Sequence, residues 1–158
     1  MIIISHRGNI SGPNPSRENH PTYIDEAIQS GYQVEVDIRY LDKKWYLGHD
    51  GADYKVSINW MKRRNHHIWW HAKSLDTLVE FGKLNRKPLS VSNKKQSFIY
   101  FWHQSDDYTL TSFEHIWTFP NKPIRGKQSI IVLNEEGATP PPGILGICTD
   151  YPEDYKNV

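Results

Sequence analysis

The chain of 158 residues has one cysteine, Cys148. That excludes an intrachain disulfide framework and a cysteine-rich zinc site. An excess of charge of either sign is also missing: 19 Lys and Arg face 18 Asp and Glu. A balanced surface carries no strong field toward nucleic acid or an anionic membrane. Lys62-Arg63-Arg64 and Lys94-Lys95 are short basic runs, more often solvated faces than nucleic-acid footprints. No segment approaches the roughly 20 apolar residues that span a bilayer, so no membrane span is expected. The opening Met1-Ile2-Ile3-Ile4-Ser5-His6 has neither the basic start nor the apolar length of a signal peptide. A soluble, cytoplasmic protein is the expectation. There is no internal repeat, low-complexity tract or linker, and the length suits a single domain over residues 1–158.

Aromatic residues, by contrast, are plentiful, with six Trp and nine Tyr. Some must be core; others can line a cleft with a ring packed and a polar tip wet. The apolar pattern predicts strands at 2–5, 33–40, 45–47 and 67–72, and helices at 22–30, 57–64 and 75–84. Residues 41–44 join two of these strands as a hairpin. The second half changes character. Extended runs at 89–91, 97–102, 115–119, 129–133 and 144–148 are joined by polar or Pro-rich links with little helical periodicity. Strand-helix alternation in the first half argues a parallel α/β sheet or barrel. A regular (β/α)8 barrel needs about 200–250 residues. The expected fold is therefore a reduced or irregular TIM-type barrel whose second half has lost its outer helices. Its weak point is the short link at 92–97, since parallel crossovers usually need about a dozen residues or more.

Four polar groups lie in the first fifty positions: His6-Arg7-Gly8, Glu18-Asn19, Glu35-x-Asp37 and Gly48-His49-Asp50. Glu35 and Asp37 are two apart on a strand and share a face, opposite Val34, Val36 and Ile38. A lone pair of this kind more often faces solvent. Inside a barrel it needs a cation, and oxygen ligands suit Mg²⁺ or Ca²⁺. A single histidine is usually an ordinary surface or core residue. If the first two strands are parallel neighbours, His6 and His49 stand at matching strand ends beside these carboxylates, which favours an acid/base pair. Arg7 can clamp a phosphate with two donors.

In this order the groups resemble the glycerophosphodiester phosphodiesterase family, TIM-barrel enzymes of the phospholipase C-like superfamily. Gly146-Ile147-Cys148-Thr149-Asp150-Tyr151-Pro152 is similar to the family's closing strand. The resemblance covers residues 2–50 and 144–153 and is thin between them. It implies metal-dependent cleavage of a small-molecule phosphodiester, glycerophosphodiester-like or sugar-linked. His6 and His49 would be general acid and base, Glu35 and Asp37 metal ligands, and Arg7 and Lys73 phosphate contacts. Glu18 and Asn19 would orient His6 and Arg7, with Asn19 also reaching the phosphate. Where the family has Glu-x-Lys on its third strand, this chain has His71-Ala72-Lys73. His71 would then be the third ligand, with one negative charge fewer for a hard cation. The middle element also departs: Ser16-Arg17-Glu18-Asn19 displaces the expected proline. The segment Phe101-Trp102-His103-Gln104-Ser105-Asp106-Asp107 follows a strand where barrel active-site loops lie. Asp106 or Asp107 could replace the missing carboxylate, though a polar turn is the plainer reading. Trp102 and Trp117 would wall the head group or, more commonly for such residues, pack the barrel. His66-His67 reads as surface. The alternative is a non-catalytic phosphate- or sugar-phosphate-binding protein.

Overall fold

Alternating β-branched and aromatic residues build the first strands. The computed structural model describes residues 1–86 and 97–157. In it β1 runs Ile2–His6, β2 Gln33–Leu41, β3 Lys44–Leu47, β4 Tyr54–Val56 and β5 Ile68–Ala72. Three helices interleave with them: α1 (Pro21–Gln29), α2 (Ile58–Arg64) and α3 (Leu75–Arg86). Pro21 suits the first turn of α1 because its φ is preset. Ser57 caps α2 by accepting from the Trp60 N–H at 3.1 Å. Five further strands follow: β6 Ile99–Phe101, β7 Tyr108–Leu110, β8 Ile116–Thr118, β9 Ser129–Leu133 and β10 Gly146–Thr149.

All ten strands belong to one sheet. A parallel run has the spatial order β6-β5-β2-β1-β10-β9-β8. β7 adds to β8 antiparallel. β3 and β4 form an antiparallel extension on the far end of β2, where Ile38 to Leu41 pair with β3. The sheet curls. The Ser112 N–H, just after β7, donates to the Tyr100 carbonyl of β6 at 2.8 Å.

The expected reduced TIM-type barrel is therefore corrected. The fold is a curled mixed sheet with three short helices, all of them before residue 87 among the described residues. A TIM-type barrel alternates each parallel strand with a helix. Here no α-helix joins β8 to β9 or β9 to β10, and β3, β4 and β7 run antiparallel. The connections explain this. Residues 119–128 and 134–145 carry Pro120, Pro123, Pro140, Pro141, Pro142, Gly126, Gly137 and Gly143, which break helices. The remaining elements fall within a residue or two of their expected bounds. β4 and β7 were not anticipated, because three residues are too few to show alternation. The run expected at 89–91, the pair Lys94-Lys95 and all but the last residue of the link at 92–97 lie outside the described residues.

Apolar clusters cover both faces. On the convex side Ile24 and Ala27 of α1, Met61 of α2 and Phe81 of α3 pack on the sheet residues Val34, Val36, Ile38 and Trp70. On the concave side Ile4, Trp69, Phe101, Trp117, Ile130 and Cys148 fill the base. Side chains alternate along a strand, so the next residue on the same face of each is two positions on. Those residues include His6, His71, His103, Phe119, Val132 and Asp150. The apolar plug thus supports a polar and aromatic layer at the carboxyl ends of the parallel strands, where ligands of open parallel sheets bind. Trp117 is core, as read from the sequence, whereas Trp102 is only half-buried. His66, His67, Asp106 and Asp107 are exposed.

Candidate functional site

Strand register assembles the site. His6 pairs with Glu35 across β1 and β2, and Asp37 pairs with His71 across β2 and β5. The chain then leaves β1 through Arg7 and Gly8 at φ 56° and 92°. A left-handed arginine is strained, and this turn throws its side chain across the end of β2.

Asp37 is the hub. Its Oδ2 lies 3.0 Å from Arg7 Nε, an ion-pair contact rather than an aligned hydrogen bond, and accepts from Asn19 Nδ2 at 3.0 Å. Its Oδ1 lies 3.0 Å from His71 Nδ1 and 3.2 Å from Lys73 Nζ. The Asn19 Oδ1 accepts from the Asp37 N–H at 2.9 Å. Burial by itself pushes the Asp37 carboxyl up, but His71, Lys73 and Arg7 together hold it well below the usual carboxylate range. Asn19 is 1% exposed with both polar atoms of its amide spent on Asp37. The structure places it as a brace for that carboxylate.

A second network holds His6. Its Nδ1 is 2.8 Å from Asp150 Oδ1, and its Nε2 is 4.0 Å from Glu35 Oε2. Asn9 Nδ2 donates to Asp150 at 2.7 Å and to Glu18 at 3.0 Å. Glu18 in turn accepts from Arg7 Nη1 at 3.0 Å. Burial lowers the His6 pKa, but the Asp150 hydrogen bond and the Glu35 charge outweigh it and leave it raised. Glu18 therefore orients Arg7 directly, and reaches His6 only through Asn9 and Asp150.

His49 follows β3. Its Nδ1 is 2.7 Å from Asp50 Oδ1, and its carbonyl accepts from Arg39 Nη2 at 2.6 Å. The Gly48 N–H donates to the Asp37 carbonyl at 3.1 Å, which anchors this loop to the site. A cleft of about 470 Å³ collects the parts: His6, Arg7, Glu35, His49, His71 and Lys73 line one half. Sequence reasoning missed Asn9 and Asn134, and quoted His103 and Asp150 only within longer segments. Asp150 carried a signal: like His6, it closes a short apolar strand.

The ligand set suits a divalent ion. Glu35, Asp37 and His71 each offer a ligand atom, all within 4.8 Å of one another. Glu35 Oε2 and His71 Nε2 are buried without a hydrogen-bond partner among the described residues. Such orphans are costly unless a cation or donor meets them. Without a metal, His6 Nε2 lies 4.0 Å from Glu35 Oε2. Positive charge close to both carboxylates comes from His71, whose Nδ1 is 3.1 Å from Glu35 Oε1 and 3.0 Å from Asp37 Oδ1. Burial opposes its charge, but hydrogen bonds to Asp37 and Glu35 raise its pKa from 6.5 to about 9. An imidazole must be neutral to ligate, so a metal bound there would expel this proton.

The raised pKa sets a pH window. A group raised in the folded state stabilises fully below its unfolded pKa, and that contribution is lost as pH rises through the folded value. Metal-free protein is thus expected to lose thermal stability between pH 6.5 and about 9. Calorimetric melting across that range tests it: His71→Asn should flatten the profile, and an equally steep decline in that variant would refute the cause.

Comparison with known proteins adds no relative: no family model matches the chain, and neither a curated protein nor a solved structure matches it. Among the described residues no helix is long and apolar enough to cross a membrane.

Proposed function

We propose that this chain is a metal-dependent phosphodiesterase of the glycerophosphodiester phosphodiesterase type. Its substrate would be a small phosphodiester, glycerophosphodiester-like or sugar-linked, met in the cytoplasm. The observation that carries the reading is one cleft lined by His6, His49, Arg7 and Lys73 together with Glu35 and His71 of the buried Glu35-Asp37-His71 group. Glu35, Asp37 and His71 would hold the ion, Mg²⁺ or Ca²⁺, whose chemistry there would be to offset phosphate charge. Arg7 and Lys73 share the remaining charge. His6, whose pKa is raised by Asp150 and Glu35, suits the proton donor to the leaving alkoxide. His49 takes the proton from the attacking hydroxyl, with Asp50 orienting its ring. That hydroxyl belongs to water or to the substrate itself.

The competing reading is a phosphate- or sugar-phosphate-binding protein without turnover. One observation favours it: Arg7, Lys73 and His71 already balance Asp37 without a metal. Hydrolysis of bis-p-nitrophenyl phosphate separates the two. The enzyme releases p-nitrophenol with Mg²⁺ or Ca²⁺ and stops on chelation. Phosphate binding with no release across several divalent ions establishes the binder instead.

A further inference from the structure

The half of the cleft opposite the charged residues has a different chemistry. Trp102, His103, Gln104, Phe119 and Asn134 line it. Phe119 is 41% exposed although it is a large apolar ring. His103 stacks on His71 with centroids 5.4 Å apart and meets Phe119 edge-on at 5.1 Å. These rings form one continuous surface that begins at the metal-site imidazole. The Gln104 and Asn134 side chains are exposed beside it, and neither makes a hydrogen bond to another described residue. No carboxylate is among these five.

We infer that this aromatic and amide wall is a subsite for a neutral ring polyol, a sugar pyranose, carried on one arm of the phosphodiester. The inference rests on the phosphodiester reading of the charged half. Each other head-group class conflicts with a feature of the wall. A quaternary ammonium is held by aromatic faces with a carboxylate to balance it; here none of the five wall residues is a carboxylate, and the charges acting on His103 put Lys73 ahead of Asp106 and Glu35. An alkyl chain would strip water from both amides and give them no partner. A nucleobase clamped between two parallel rings needs a gap of twice a stacking distance, and the parallel His71–His103 and Phe101–Trp117 pairs are already closed at 5.4 and 4.4 Å. A pyranose offers what the wall lacks: a C–H face for a single ring surface and hydroxyls for two free amides. A cleft of about 470 Å³ lies in the range of small-ligand sites.

Calorimetric titration of the full chain with α-D-glucose 1-phosphate, glycerol 3-phosphate and phosphocholine tests this without requiring turnover. Glucose 1-phosphate should bind about tenfold tighter than the other two, the worth of one or two added hydrogen bonds. Phe119→Ala and Asn134→Ala should each shrink that ratio toward unity; both positions are exposed, and melting curves verify that the variants fold. Glycerol 3-phosphate or phosphocholine binding as tightly as the sugar phosphate overturns the subsite and leaves the phosphate site standing. A preference that survives both substitutions overturns the wall assignment. Failure of all three to bind overturns the subsite together with the phosphate site beneath it.

Discussion

Replacing His6 with alanine is expected to cut phosphodiester turnover by about 10²- to 10⁴-fold, the usual worth of a general acid or base. The expectation rests on how firmly the ring is held. Strand β1 is flanked by β2 and β10, so the His6 backbone cannot drift. Asp150 fixes one ring nitrogen at 2.8 Å and leaves the other turned toward Glu35. Asp150→Asn should lose much of the same rate, because an amide no longer favours the protonated imidazole. A shift of the alkaline limb of the pH–rate profile to lower pH would mark that origin. His49→Ala should fall in the same range as His6→Ala. Steady-state kinetics on bis-p-nitrophenyl phosphate measures all three variants. Wild-type turnover in both His6→Ala and His49→Ala would sink the acid/base assignment.

The largest effect on stability is expected at Asp37. Its carboxylate is fully buried and contacts Arg7, His71 and Lys73. Asp37→Ala leaves those cations facing one another with one counter-charge removed. Breaking a buried charge pair from one side costs about 3–5 kcal/mol, or a melting point lower by on the order of 10 °C in a chain of this size. The estimate belongs to the low end, since the three partners keep 12–20% of their side-chain surface exposed to solvent. Asp37→Asn keeps the shape and an oxygen acceptor, and should destabilise less. Both variants should lose divalent-ion binding in calorimetric titration. A melting point for Asp37→Ala within two or so degrees of wild type would mean the hub is not what holds this end of the sheet together.

Much of the charged half of the site was legible because it is local. Glu35 and Asp37 declare a shared face by their spacing, and Val34, Val36 and Ile38 declare the opposite face as buried. His6 and Arg7 stand where an apolar strand ends. Lys73 follows the next parallel strand at the same level. Of the aromatic half only Trp102 and Trp117 were legible as candidate wall residues; His103, Phe119 and Asn134 come from the ends of β6, β8 and β9, which meet only through register. Asn19 was legible as part of the site but not in its role. Its left-handed backbone, φ 61°, aims the amide at Asp37. The fold class failed for a similar reason. Alternation revealed the strands, and the Pro-rich links showed where helices are absent, but strand order and direction are set by pairing between segments distant in the chain, which gives a curled mixed sheet instead of a barrel. The antiparallel additions β4 and β7 are too short to announce themselves.

The hairpin extension of β2 gives the two imidazoles unequal mechanical footing. His6 belongs to a strand with hydrogen-bonded neighbours on both flanks. His49 hangs from β3, whose outer neighbour β4 is the edge of the sheet among the described residues. Arg39, reaching the carbonyls of His49 and Gly51, is the strut that steadies that arm. The cleft is built like a vise with one jaw cast into the frame and one mounted on a bracket. Any adjustment to the girth of the ester between them falls on the bracket.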